Sequence, residues 1–227
     1  MMRFFTTKPS LISSAVLFVL FISLAFAVKN GVFNQLDNGL MEAAQSLYTP
    51  TLTWVLITVS AFGDGFNMII VFFAFALALL FAGFKKESYF SFVIWLAPLT
   101  SFVAKLAVGR ERPEGFLAPG YSLPSDFSFP SGHVAFYACF FGLVVLYALT
   151  LPNLRKFGRI LLITISGLLI ALVGFSRVYL GVHYPTDAVG GYLLGFAILA
   201  LVNLLYFRFI FRKDGGEKVP TLQLGQK

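Results

Sequence analysis

The chain has 227 residues, of which 58% are hydrophobic and 12% charged, with a formal net charge of +7. A mean hydropathy of +0.85 excludes an ordinary soluble domain. The basic excess does not describe a nucleic-acid-binding surface, because Lys and Arg stand at the ends of apolar runs, as in proteins that orient themselves across a bilayer.

Several runs approach the ~20 apolar residues that cross a bilayer as a helix. The expected class is all-α: one membrane-embedded domain over residues 1–227, a bundle of six transmembrane helices. The first span covers Leu11 to Val28 behind Arg3 and Lys8. Its Ala25-Phe26-Ala27 also fits a signal-cleavage site, but its length favours a retained anchor. Residues 34–62 read as a surface helical segment. In it, Asn34 to Tyr48 carries Asp37 and Glu42 among spaced apolar residues, and Thr51 to Phe62 is too short to span. Asp64, between Gly63 and Gly65, reads as a helix cap or turn residue. Further spans are expected at 66–84, 89–108, 131–151, 160–175 and 188–211, with Lys85, Lys86 and Glu87 as a short loop and 212–227 as a mobile tail. The single Cys139 excludes an internal disulfide and reads as a small packing residue.

Six spans with both termini cytoplasmic put Arg3, Lys8, Lys85, Lys86, Arg155, Lys156, Arg159, Arg208, Arg212 and Lys213 inside. The basic residues left outside are Lys29, Lys105, Arg110, Arg112 and Arg177. Four of these five flank the chain's two histidines, His133 and His183, so the breach of the charge rule points to chemistry.

Pro185 disfavours helix at Tyr184 and starts one itself, which places Asp187 in a first turn within reach of His183. A carboxylate that holds one ring nitrogen leaves the other free as base or nucleophile. Alternating span direction brings the end of the third span (Lys105, Arg112), the start of the fourth (Ser131, Gly132, His133), the end of the fifth (Arg177) and the start of the sixth to one face. Cations, imidazoles and helix N-termini together describe a phosphate site. A lone histidine at a span end is ordinarily a hydrogen-bonding residue; it is the spacing of all the parts that argues for catalysis. Arg110 is expected to pair with Glu111, Glu114 or Asp126, and these acids do not form a convincing metal cluster.

Lys105-(six residues)-Arg112-Pro113, Pro130-Ser131-Gly132-His133 and Ser176-Arg177-(five residues)-His183-(three residues)-Asp187 resemble the tripartite signature of the type 2 phosphatidic acid phosphatase superfamily. The resemblance implies a multi-pass lipid phosphatase of the cell membrane, acting on undecaprenyl pyrophosphate, phosphatidylglycerophosphate or phosphatidic acid. It implies that His183 attacks phosphorus, Asp187 orients it and His133 protonates the leaving group. Lys105, Arg112, Arg177 and the backbone N–H groups of Ser131 and Gly132 would hold the phosphate oxygens. No metal or other cofactor is implied, since cationic side chains stand where many phosphoryl-transfer enzymes use magnesium. The implied partner is a lipid of the outer leaflet and not nucleic acid; the sequence carries no signal of oligomeric state. A lipid phosphotransferase using the same site, or a lipid-binding or transport protein retaining it, are the alternatives.

Overall fold

Burial divides the helices into a central one and an outer shell. The structure, a computed structural model, describes residues 7–152 and 154–210 and is helical, with no strand among them. The helices in chain order are α1 (Thr7–Lys29), α2 (Asn34–Gln45), α3 (Pro50–Ala61), α4 (Gly65–Phe81), α5 (Lys85–Phe90), α6 (Leu96–Val108), α7 (Gly132–Thr150), α8 (Lys156–Tyr179) and α9 (Pro185–Leu205). A 3-10 stretch, Ser91–Trp95, joins α5 to α6, and a π turn, Tyr206–Ile210, continues α9.

α7 is buried on almost every side, from Val134 to Ala148, which is why it is apolar all round. Among its described side chains α1 buries Ser10, Phe21, Ala25 and Val28 and exposes Leu11, Ile12, Val16, Val19 and Phe26. Such an apolar exterior suits contact with lipid tails. Among the described residues five helices or helix runs are long and apolar enough to cross a membrane, or six when α3 and α4 count together as one bent span.

α9 lies close against α7 because its facing residues are glycines four apart. A Cβ on Gly191 would lie 2.7 Å from the Ser131 carbonyl oxygen, and one on Gly195 would lie 2.6 Å from that of Ala135. Small residues at i and i+4 let helices approach backbone to backbone where the hydrophobic effect cannot drive them together. This approach sets the start of α7, with His133, beside the start of α9, with Asp187.

Several boundaries differ from expectation. Lys85, Lys86 and Glu87 are the first turn of α5 and not a loop, because Glu87 and Ser88 are buried. The expected span 89–108 therefore begins at Lys85. The expected span 160–175 extends from Lys156 to Tyr179, so Arg177 lies in its last turn, where the helix dipole favours a cation. The segment 34–62 is two helices. α3 buries Thr53, Leu56, Val59 and Ser60 while exposing Trp54, and it meets α4 at 59° across the break at residues 62–64. α2 buries Met41 and Ala44 on its inner face together with one charge, Asp37, which is fully buried, while Leu36 and Leu40 face out. The tail 212–227 and the expected positions of Arg3, Lys8, Arg212 and Lys213 lie outside the described residues or side chains.

Gly195→Val should lower thermal stability in detergent by about 1–3 kcal/mol, because the added atoms overlap backbone that cannot yield cheaply. A substitution at Gly167, where a Cβ meets nothing within 4 Å, is the control.

Candidate active site

Pro185 opens α9, and Asp187 in its first turn is fully buried. Asp187 Oδ2 accepts the Tyr184 N–H at 2.8 Å and lies 3.4 Å from His183 Nδ1. On the other side of the ring, Arg112 donates toward Nε2 at 3.3 Å. An acceptor at Nε2 requires the proton on Nδ1, facing Asp187. His183 is almost fully buried, and burial first, then the charges of Arg177, Arg112 and Lys105, hold its pKa well below the ordinary 6.5. The ring is therefore neutral, with a lone pair on Nε2.

His183, His133, Gly132, Lys105, Arg112 and Arg177 line one cavity of about 270 Å³. Met68, Pro98 and Phe102 form its apolar side, and Phe102 also reaches the exposed apolar surface. Gly132, at the first position of α7, has an N–H that no carbonyl of its own helix can satisfy. The Ser131 amide is committed: it donates to the Asp187 carbonyl at 3.0 Å and ties the starts of α7 and α9 together. The expected role of that N–H in holding phosphate is therefore corrected. Ser131 Oγ is buried and without a partner among the described residues.

Arg177 is 1% exposed. It donates to Ser60 Oγ at 2.5 Å and to the Tyr121 hydroxyl, while its Nε has no partner among the described residues. Lys105 and Arg112 share one carboxylate, Asp126, at 3.0 and 2.5 Å. Burial alone would raise the Asp126 pKa, but hydrogen bonds from Arg112 and Lys105 outweigh it and hold the carboxyl below its usual 3.8. An ionised carboxylate thus bridges the two cations that the signature assigns to phosphate.

Three residues outside the signature belong to the site. Arg110 pairs with Asp37 at 2.6 Å and with Asp187 at 2.8 Å, and its guanidinium lies over the Tyr184 ring. The expected pairing with Glu111, Glu114 or Asp126 is corrected: Asp37 and Asp187 are fully buried and demand a cation, whereas the loop acids reach solvent. Asp37 also accepts from the Thr186 amide and hydroxyl, at 2.9 and 2.6 Å. Asp64 stands at the N-cap of α4, yet its side chain makes no cap bond; Oδ1 lies 2.8 Å from His133 Nε2. Its reading as a cap or turn holds for its position, while its side chain goes to His133 and not to the helix. The signal for Asp64 was a charge set between apolar runs; nothing in the sequence marked Asp37, Tyr121 or Ser60. Among the described residues no group of three or more His, Cys, Asp or Glu side chains is placed to hold a metal ion.

Known proteins place this arrangement. The PAP2 superfamily profile matches residues 86–211. The chain belongs to the PAP2 superfamily. This PAP2 member is 31% identical over 194 residues to phosphatidylglycerophosphatase B of Bacillus subtilis (strain 168), covering 82% of this chain and 91% of the relative. It is 36% identical over 152 residues to an undecaprenyl-diphosphatase of Sulfolobus acidocaldarius, covering 64% and 66% of the two chains. The crystal structure of a transmembrane PAP2-type phosphatidylglycerolphosphate phosphatase from Bacillus subtilis superposes with a TM-score of 0.77 at 29% identity, over 87% of this chain and 97% of that one. The PAP2 chain is a polytopic membrane protein and a phosphate-ester hydrolase.

Because Asp126 competes for the cations, Asp126→Asn should tighten inhibition by vanadate, a phosphoryl mimic, by ~10-fold, the equivalent of one charge-assisted hydrogen bond. Inhibition constants for the two proteins in detergent check it.

Proposed function

We propose that this PAP2 member removes the terminal phosphate from a membrane lipid phosphate or pyrophosphate, through a phosphohistidine and without a metal ion. The observation that carries the reading is the single cavity shared by His183, His133, Lys105, Arg112 and Arg177. Its apolar side supports a lipid substrate, and the names of the relatives support phosphatidylglycerophosphate or undecaprenyl pyrophosphate as its class. The charge pattern supports a cavity on the non-cytoplasmic face with both termini cytoplasmic, since Lys85, Lys86, Arg155, Lys156, Arg159 and Arg208 lie at the other ends of the helices.

In the reaction, the Nε2 lone pair of His183 bonds to phosphorus in line with the leaving oxygen, and Asp187 supports the imidazolium that forms. Lys105, Arg112, Arg177, Gly132 N–H and Ser131 Oγ take the equatorial oxygens, where fixed donors are worth ~10²–10³ in rate each. His133 gives a proton to the oxygen as the P–O bond breaks, because an alkoxide leaves poorly. His133 then takes a proton from water, the oxygen of which attacks the phosphohistidine; the P–N electron pair returns to His183.

The test is phosphate release from lipid mono- and diphosphates in detergent, with chelator present and no acceptor alcohol. His183→Ala should abolish turnover, and His133→Ala should slow alkyl phosphates by ~10²–10⁴-fold, the range of general-acid catalysis. Full activity of either variant, or strict dependence on added magnesium, overturns the reading. The pH profile supplies a further check. A depressed pKa keeps His183 unprotonated as pH falls through 6.5. With an aryl phosphate, which needs no acid, the rate should stay level across that value once the substrate's own titration is removed.

A further inference from the structure

His133 needs two things to deliver a proton: a fixed ring and a second nitrogen that remains protonated after the first has given its proton away. Asp64 is placed to supply both. Its Oδ1 lies 2.8 Å from His133 Nε2, so that nitrogen carries a proton and donates it to the carboxylate. Nδ1, which has no hydrogen bond among the described residues, is then the nitrogen free to face a leaving oxygen.

The surroundings hold the pair. Gly63 lies flat against the imidazole: a Cβ there would sit 2.6 Å from His133 Cδ2 and 2.8 Å from Tyr137 Cε2. The Tyr137 hydroxyl donates to the Val59 carbonyl and so fixes the end of α3 to α7. Tyr121 donates to Asp64 Oδ1 at 3.2 Å and accepts from Arg177, which links the carboxylate to a phosphate-holding cation. The break between α3 and α4 therefore serves to bring one carboxylate to the acid.

We propose that Asp64 is the positioning residue for the general acid, acting through His133 Nε2, and that it equips the site for phosphomonoesters of lipid alcohols. The inference rests on the phosphatase reading above. In the step, the His133 imidazolium passes its Nδ1 proton to the bridging oxygen as that oxygen takes the P–O electron pair. The neutral ring keeps its Nε2 proton on Asp64. A departing alkoxide requires this proton, whereas a leaving phosphate, as from a lipid diphosphate, or an aryl oxide requires it far less.

Asp64→Asn keeps the shape but not the charge. Its kcat on a lipid phosphomonoester such as phosphatidic acid should fall ~10²-fold, the scale of general-acid catalysis. Its kcat on p-nitrophenyl phosphate and on a polyprenyl diphosphate should fall only a few-fold. Asp64→Glu should restore part of the monoester rate. The ratio of two substrate rates within one preparation does not depend on how much of it is folded, so a poorly folding variant still decides the matter. Equal losses on all three substrates, or none on the monoester, overturn the role of Asp64. A wild-type protein that hydrolyses no lipid phosphate overturns the phosphatase reading instead, and the two failures are distinct.

Discussion

Four cations held at one end of an apolar bundle set the condition that the rest of the structure meets. Lys105, Arg110, Arg112 and Arg177 each have little or no contact with solvent. A buried charge without a partner costs several kcal/mol, so each must be answered locally. The answers differ in kind. Arg110 is neutralised fully, by Asp37 and Asp187 together. Lys105 and Arg112 share Asp126, which is half exposed and belongs to the loop that covers the site. Arg177 is held by hydroxyls of Ser60 and Tyr121. The cation with buried carboxylates on both sides is structural; those with exposed or neutral partners are the ones the proposed reaction turns on an anion.

This distinction explains why α2 carries a charge on the same buried face as Met41 and Ala44. Asp37 points into the protein because Arg110 and the Thr186 amide at the start of α9 need an acceptor there. The leucines of α2 can face outward because the medium at the membrane is itself apolar.

Rigidity at the site comes from close backbone approach. Gly191 and Gly195 bring α9 onto α7, and the Ser131 amide to Asp187 carbonyl bond joins their first turns. His133 in the first turn of α7 and His183 in the bend just before α9 are thereby held close to one packed pair of helices, with Gly63 closing over the His133 ring from the break before α4. In the proposed reaction a phosphoryl group between the two rings would meet nucleophile and acid without either having to move far, which is how orientation lowers a barrier.

The sequence by itself determined the helical membrane class, the meeting of distant segments at one end, and the residues His133, His183, Asp187, Lys105, Arg112, Arg177 and Gly132. Apolar runs of fixed length have few ways to cross a bilayer, and their parity alone sorts their ends into two groups. Only the tertiary structure decided which acid answers which base. Arg110 passes over its sequence neighbours for Asp37 and Asp187, Asp64 reaches His133 sixty-nine positions away, and the Ser131 amide goes to Asp187 and not to a ligand. Ion pairing follows burial and distance in space, and neither is written in the order of residues along a chain.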